Sequence, residues 1–153
     1  MSEFEVRLRA WLENQGFDCD IMFDDDFGYD WFENKLHVGT VTYPTTGRWF
    51  EQFLCEYGLE WFGILDPVLA LIHELGHYAT HESYSEEELY LFQAIKMFGT
   101  EDRMEEMNSM FKYWEVNDEF AANMWAIDYI NWNIEVVQEL IDIYFESWKT
   151  VDA

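Results

Sequence analysis

Two histidines and a glutamate stand at a spacing that suits metal-assisted chemistry. The chain contains the run His73-Glu74-Leu75-Gly76-His77. Residues four apart lie on one face of a helix, one turn apart, so both imidazoles can bind the same ion. Glu74 lies at the edge of that face, where a carboxylate can take a proton from a water molecule that the ion activates. The pattern predicts a hydrolytic site built on one Zn²⁺ ion.

The flanking residues predict the helix that this motif needs. Asp66 can cap the free N–H groups of the first turn, and Pro67 suits the first helical position, where no N–H is required. The helix is expected to run through His81, with its apolar residues buried. Gly76 would leave space for a neighbouring backbone. This setting favours a metal site over the alternative, a helix that carries the three polar residues by chance.

A catalytic site of this kind needs a third protein ligand, normally from a second helix. Glu119 is the best candidate, because Ala122 and Ala126 lie on its helical face and would let that helix approach closely. Asn123, four residues on, could hydrogen-bond the far ring nitrogen of a ligand histidine and fix its orientation. The alternative for Glu119 is an exposed glutamate near a helix start, stabilised by the helix dipole.

Other residues are weaker candidates for the same site. Asp118 and Glu115 are fallback ligands. His81 lies one turn beyond the second motif histidine on nearly the same stripe, which places it too far along the helix. Tyr78 and Tyr129 could stabilise an oxyanion. Neither tyrosine is favoured, because the chain has nine tyrosines and nothing distinguishes these two.

Taken together, the two motifs resemble those of the ImmA/IrrE-like zincin peptidases. HELGH at 73–77 has the HExxH pattern of zincins. ExxANxWA at 119–126 is similar to the second motif of that family, a ligand Glu followed by Ala-Asn and then an aromatic residue and Ala. The resemblance covers residues 66–130 and implies a zincin-like fold of the gluzincin type.

The resemblance also implies roles for individual residues. His73, His77 and Glu119 would be the zinc ligands, and Glu74 would be the general base of a metallopeptidase. The chain departs from the family in three respects. Trp125 stands where Phe is usual, no apolar Leu-Leu-Met-Pro tail follows, and an extra acidic helix is expected between the motifs.

The periodicity of apolar residues predicts a mainly helical α+β domain. Ser85 and Glu88 form a capping-box pattern at one helix start. Asn117 or Asp118 is expected to cap the last helix. Because no linker-like segment interrupts the chain, residues 1–153 are expected to form a single zincin-like domain. Helices are expected at 3–15, 48–62, 66–81, 86–98, 100–113 and 117–148.

A small antiparallel sheet, in the form of a two-stranded hairpin, is expected near the N-terminus. Its strands would be Cys19–Phe23 and Lys35–Tyr43, joined by the acidic segment Asp24–Asn34 and ended by Pro44. The acidic segment lacks the positions of a calcium-binding EF-hand loop and is interpreted as solvated. His37 could point from an edge strand into a substrate cleft, although a lone strand histidine is more often structural.

The charge balance limits the partners. With 32 Asp and Glu against 8 Lys and Arg, the formal net charge is -24. Such a surface repels phosphate backbones and anionic membranes, so neither direct nucleic-acid binding nor membrane binding is expected. A peptide or protein substrate is expected. The charge could attract a basic protein, although solubility or a salt-adapted surface is the commoner reason for such acidity.

A cytoplasmic location is also expected. Residues 1–5 lack the features of a signal peptide, and no apolar stretch is long enough for a bilayer. Cys19 and Cys55 are isolated in the sequence and are interpreted as buried or reduced thiols rather than as a disulfide framework.

The sequence therefore predicts a zinc-dependent peptidase that hydrolyses peptide bonds. The alternative from another class is a non-catalytic, zinc-containing acidic interaction protein, such as a phage-like inhibitor or a DNA mimic. A structural zinc site tends to be closed by four protein ligands, whereas a catalytic site keeps a position open. A third possibility is a zincin whose activity is limited by its own acidic segment between the two motifs.

Overall fold

The computed structural model describes residues 2–39, 48–61, 63–64, 66–99 and 116–151. Most of these residues are helical, and a small sheet lies near the N-terminus, so the predicted α+β class is confirmed. The helices are α1 (Glu3–Asn14), α2 (Arg48–Glu56), α3 (Asp66–Thr80), α4 (Glu86–Gly99), α5 (Asn117–Trp132) and α6 (Ile134–Val151), and a 3₁₀ turn, His81–Ser83, follows α3. The strands are β1 (Asp20–Asp24), β2 (Gly28–Asp30) and β3 (Lys35–Gly39).

The sheet is mixed, so the predicted antiparallel hairpin is wrong in its pairing. The strand order is β1-β3-β2, with β1 parallel and β2 antiparallel to β3. The acidic segment turns twice and contains β2. Asp24 Oδ1 accepts the N–H of Asp26 at 3.0 Å, and Asp30 Oδ1 accepts the N–H of Phe32 at 2.9 Å, as is typical of Asx turns. Because the chain reverses twice, β1 and β3 run in the same direction.

The two helices that carry the motifs, α3 and α5, pack against each other at the centre of the fold. Both bury apolar residues in one core with α1, β3 and the last helix, α6. The hydroxyl of the fully buried Tyr144 in α6 donates to the carbonyl of Gly39 at 3.5 Å, which ties that helix to the end of β3. The motif helices are therefore held from several sides.

Local signals account for several helix ends. Ser85 Oγ accepts the N–H of Glu88 and Glu88 Oε1 accepts the N–H of Ser85, both at 3.1 Å, which confirms the predicted capping box of α4. The second helix, α2, is shorter than predicted. It stops at Glu56 because Gly58 adopts a φ of +118° and the chain turns there.

The long C-terminal helix that the sequence predicts is in fact two helices. Asn133 leaves helical geometry, at φ -134° and ψ 46°, and its side chain donates to the carbonyl of Tyr129 at 2.9 Å. A side chain that bonds the backbone in this way competes with helix continuation. The predicted cap is also wrong, since Val116 occupies the N-cap position of α5 without a side-chain bond. The helix predicted at 100–113 lies outside the described residues.

Within the described ranges, no helix combines the length and the apolar character that a membrane crossing requires.

Candidate metal centre

Three side chains from two helices converge on one point. His73 Nε2 of α3 lies 3.4 Å from Glu119 Oε2 of α5, and His77 Nε2 contacts the same oxygen. The three candidate ligand atoms all lie within 4.8 Å of one another. We call these three residues the metal cluster. The structure therefore brings together the residues predicted as ligands, and their arrangement could hold a metal ion.

The approach of the two helices depends on Gly76. A Cβ atom at this position would lie 2.9 Å from the Cα of Ala122 and closer still to its carbonyl oxygen. Both residues are buried, as is Ala126 one turn further along α5. The prediction that Gly76 and the alanine face let the helices approach closely is confirmed. Without this contact, Glu119 would be held further from the histidines.

The ring of His73 is held in a defined orientation. Its Nδ1 donates to Asn123 Oδ1 at 2.7 Å, and Asn123 is fully buried. An amide oxygen can only accept, so the proton of the neutral ring stays on Nδ1 and the lone pair of Nε2 faces Glu119. The Phe50 ring packs against the same imidazole in a T-shaped arrangement, with 5.4 Å between the ring centroids. The predicted contact with Asn123 is confirmed.

The donor set fits a divalent metal ion. Glu119 is 2 % exposed, and its Oε2 makes no hydrogen bond of good geometry with any described residue. A buried carboxylate oxygen without such a bond is costly unless a cation faces it. Two imidazole nitrogens and one carboxylate oxygen form a donor set that first-row divalent ions accept. An ion at this point would satisfy all three ligand atoms together.

The pKa values of the ion-free cluster also show that Glu119 requires positive charge beside it. Burial lowers the pKa of His73, but the Glu119 carboxylate outweighs it with help from Glu74, and the pKa rises to about 9. Burial likewise favours the neutral form of Glu119, but the two imidazoles hold the pKa of this carboxyl far below its ordinary value. Protons therefore neutralise the site when no ion does. A bound metal ion would have to displace them.

A cleft of about 240 Å³ opens beside the metal cluster. Glu74 lines it together with His77 and Glu119, and Glu74 Oε1 lies 3.9 Å from His73 Nε2. The predicted general base is thus next to the predicted ligands and faces the same space. The wall formed by the β2 region contains Phe27, Gly28, Tyr29 and Trp31, and the wall formed by α4 contains Leu89, Gln93 and Lys96.

Strand β2 gives the cleft a sheet edge. It is one of the two outer strands of the described sheet and lies beside α3, and two of its residues, Gly28 and Tyr29, line the cleft. An outer strand offers backbone donors and acceptors with which an extended peptide can pair. The cleft therefore borders an arrangement that could hold a metal ion, a carboxylate and the edge of a sheet.

Two of the weaker ligand candidates, His81 and Asp118, do not join the cluster. His81 lines the cleft, but its Nδ1 is occupied by the carbonyl of Tyr78 at 2.9 Å. Asp118 also lines the cleft, and its Oδ2 pairs with Lys96 Nζ at 2.8 Å. Glu115 lies outside the described residues.

Neither candidate tyrosine lines the cleft. The hydroxyl of Tyr78 accepts the backbone N–H of Asp18 at 3.0 Å. That of Tyr129 donates to Gln15 at 3.0 Å, and burial raises the pKa of this phenol to about 12. The two tyrosines thus connect residues 15–18, which follow α1, to α3 and α5. A role in stabilising an oxyanion has no support from these positions.

His37 takes a structural position, as the sequence favours, and not a position in the cleft. It lies in β3, the central strand, and its Nδ1 is 2.7 Å from Asp24 Oδ2. It does not line the cleft. The structural alternative for this histidine is the better one.

Lys96 is a cleft residue that the sequence reasoning missed. It lies four residues after Phe92 and seven after Leu89, both of which are buried, so it shares the inward face of α4. The sequence contains a signal for this residue, because a lysine is unusual at a helical position whose neighbours on the same face are apolar and buried.

Comparison of the chain with known protein families, with curated proteins and with solved structures found no match. The geometry of the metal cluster and the cleft is therefore the ground on which a function can be proposed.

Proposed function

We propose that the chain is a zinc-dependent peptidase in which Glu74 is the general base. One observation carries the proposal: His73, His77 and Glu119 present their ligand atoms to one point, and that point borders the cleft that Glu74 lines. A metal-binding arrangement alone would suit many proteins. A carboxylate beside it, with access for a substrate, is what hydrolysis requires.

The number and type of ligands support a catalytic zinc site. Two histidines and a glutamate are a common ligand set of zinc peptidases, which keep the fourth position for water or substrate. Within the ranges that the structure describes, no fourth His, Cys, Asp or Glu joins the cluster. A purely structural zinc ion would be expected to have four protein ligands.

Each group at the site would have a separate role in hydrolysis. Zinc, when bound, is a Lewis acid that polarises the substrate carbonyl and lowers the pKa of a water molecule to about 7. Glu74 accepts a proton from the attacking water and returns it to the leaving amine. Asn123 keeps His73 in the tautomer whose Nε2 can bind a metal ion.

The substrate would be a peptide segment in an extended conformation. It would pair with the edge of β2, which brings its backbone along the cleft. Three aromatic residues of the β2 wall, Phe27, Tyr29 and Trp31, would contact its side chains. The net charge of -24 favours a basic protein as the source of that segment.

The acidic surface supports one other candidate function, a non-catalytic interaction protein that binds a basic partner. The two candidates differ in what zinc does. A structural zinc ion would stabilise the fold without any hydrolysis, whereas a catalytic one would be needed for turnover.

The proposal can be tested with a library of quenched fluorescent peptides that includes basic sequences. Zinc-loaded protein should cleave members of the library, zinc-stripped protein should not, and one equivalent of zinc should restore cleavage. The His77→Ala variant, treated in the same way, controls for a contaminating protease. Zinc-loaded protein that cleaves no member of the library, or that cleaves it no faster than the His77→Ala variant does, would contradict the proposal.

A further inference from the structure

Lys96 brings a positive charge to the α4 wall of the cleft. Its Nζ lies 2.8 Å from Asp118 Oδ2 and 3.6 Å from Glu119 Oε1, and its side chain is 14 % exposed. A lysine this well shielded needs anionic partners. It faces two buried carboxylates, one of which belongs to the metal cluster.

The two oxygens of Glu119 therefore face different neighbours. Oε2 faces the imidazoles of His73 and His77, and Oε1 faces Lys96. A free carboxylate can bind a metal ion through one oxygen or through both. A cation near Oε1 competes with the ion for that oxygen.

We propose that Lys96 is a positioning residue that holds Oε1 of Glu119 away from the metal ion. Glu119 then binds through Oε2 alone, and the coordination position that a second carboxylate oxygen would fill stays available for water or substrate. This role rests on the metal site of the proposed function. It adds a reason why the site has an open position.

Asp118 is the second anionic partner of Lys96. Its Oδ2 pairs with Lys96 Nζ, while its Oδ1 accepts the backbone N–H of Glu119 at 3.0 Å. Lys96, Asp118 and Glu119 are thus connected in one network at the first turn of α5. The alternative role for Lys96 is to neutralise Asp118 and to do nothing for the metal ion.

The two roles can be separated by removing the ion pair as a unit. Lys96→Met alone would leave Asp118 buried without its cation, which destabilises the fold. The double variant K96M/D118N avoids that charge, and the asparagine Oδ1 can still accept the N–H of Glu119. D118N alone is the matched control, because Lys96 would still face Glu119 Oε1.

The readout is the visible absorption of the full-length chain with Co²⁺ as the metal probe. Cobalt bound by four ligands absorbs more strongly than cobalt bound by five. Wild type and D118N should both give the strong spectrum. K96M/D118N should lose intensity per bound cobalt, because Glu119 then binds through both oxygens. Lys96→Arg, which keeps the positive charge, should retain the strong spectrum.

Two results would overturn the role of Lys96, and they differ in what else they affect. If K96M/D118N binds Co²⁺ with the same spectrum as D118N, Lys96 serves Asp118 only and the metal site stands. If the folded wild-type chain binds no Co²⁺ and no Zn²⁺, the metal site is wrong and the role of Lys96 falls with it. Peptide hydrolysis provides a second readout, with a loss of about 10–100-fold expected for K96M/D118N relative to D118N.

Discussion

The backbones of Gly76 in α3 and Ala122 in α5 are in direct contact. This contact sets the separation between the two histidines and Glu119. A Cβ on Gly76 would lie 2.9 Å from the Cα of Ala122, too close for both helices to keep their places. The small residues at this crossing bring the metal cluster together, because His73 precedes Gly76 by three residues and Glu119 precedes Ala122 by three.

The first prediction concerns this contact. Gly76→Ala should destabilise the fold by about 1–3 kcal/mol, the usual cost of overpacking, although glycine-to-alanine changes in open helices stabilise by about 1 kcal/mol. Zinc affinity should fall as well, because the helices must separate. Unfolding in urea and zinc titration would measure the two effects. Ala79→Gly, at an exposed position of α3, is the control and should keep zinc affinity. A Gly76→Ala protein that is more stable than wild type would show that the helices do not meet in this way.

The second prediction concerns the orientation of His73. Asn123→Ala should weaken zinc binding by about 10–100-fold, the usual effect of losing the partner of a ligand histidine. Asn123→Asp should retain much of that affinity, because a carboxylate oxygen can accept from His73 Nδ1 and the replaced Nδ2 makes no hydrogen bond with the described residues. Competition with a chromophoric chelator would measure both affinities. Equal losses in the two variants would contradict the role of this hydrogen bond.

The third prediction concerns pH. In the ion-free chain, His73 has a pKa of about 9, above its ordinary value of 6.5, so its pairing with Glu119 stabilises the fold below pH 6.5 and is lost as the pH rises through about 9. Zinc needs the neutral imidazole, so zinc affinity should rise over the same interval. Between pH 6.5 and 9, the unfolding free energy of the ion-free chain should fall, whereas the zinc affinity measured by titration should rise. Glu119→Gln should flatten the trend of the ion-free chain.

The pairing also has a limit on the acid side. The pKa of Glu119 is lowered from 4.5, so the stability that this carboxylate contributes is present above pH 4.5 and is lost as the pH falls below it. An ion-free chain whose stability rises steadily from pH 6.5 to 9 would contradict the pairing of His73 with Glu119.

The fourth prediction concerns metal removal. A zinc ion that binds the folded state and not the unfolded state stabilises the fold by about 2.7 kcal/mol when the free zinc concentration is 100 times the Kd. Thermal unfolding should therefore occur at a lower temperature in the presence of a chelator. The His77→Ala variant should show no such difference. A chelator effect of equal size in that variant would place the stabilising ion elsewhere.

Much of the metal site could be predicted from the sequence because its signals are local. His73, Glu74 and His77 share one helix, and Asn123 follows Glu119 by one turn on another. Spacing along a helix determines which residues share a face. The residues contributed by each of the two helices could therefore be predicted separately. The binding of a metal ion, the identity of that ion and the peptidase activity remain predictions.

The parts that could not be predicted depend on contacts distant in sequence or on very short elements. Strand β2 has three residues, too few for an alternating pattern, so the parallel pairing of β1 and β3 was missed. The apolar periodicity continues past Asn133 and concealed the break between α5 and α6. The spacing within α4 shows that Lys96 shares the buried face of that helix, but its pairing with Asp118 depends on how α4 packs beside α5.

The most direct test of the central claim is the activity of Glu74→Gln at full zinc occupancy. Glu74 lines the cleft but is not one of the three converging ligands, so the variant should bind one zinc ion and keep its fold. Hydrolysis of the best library peptide should fall by about 10²–10⁴-fold, the usual contribution of a general base. A Glu74→Gln protein with one zinc ion per chain and wild-type hydrolysis would contradict the proposed mechanism.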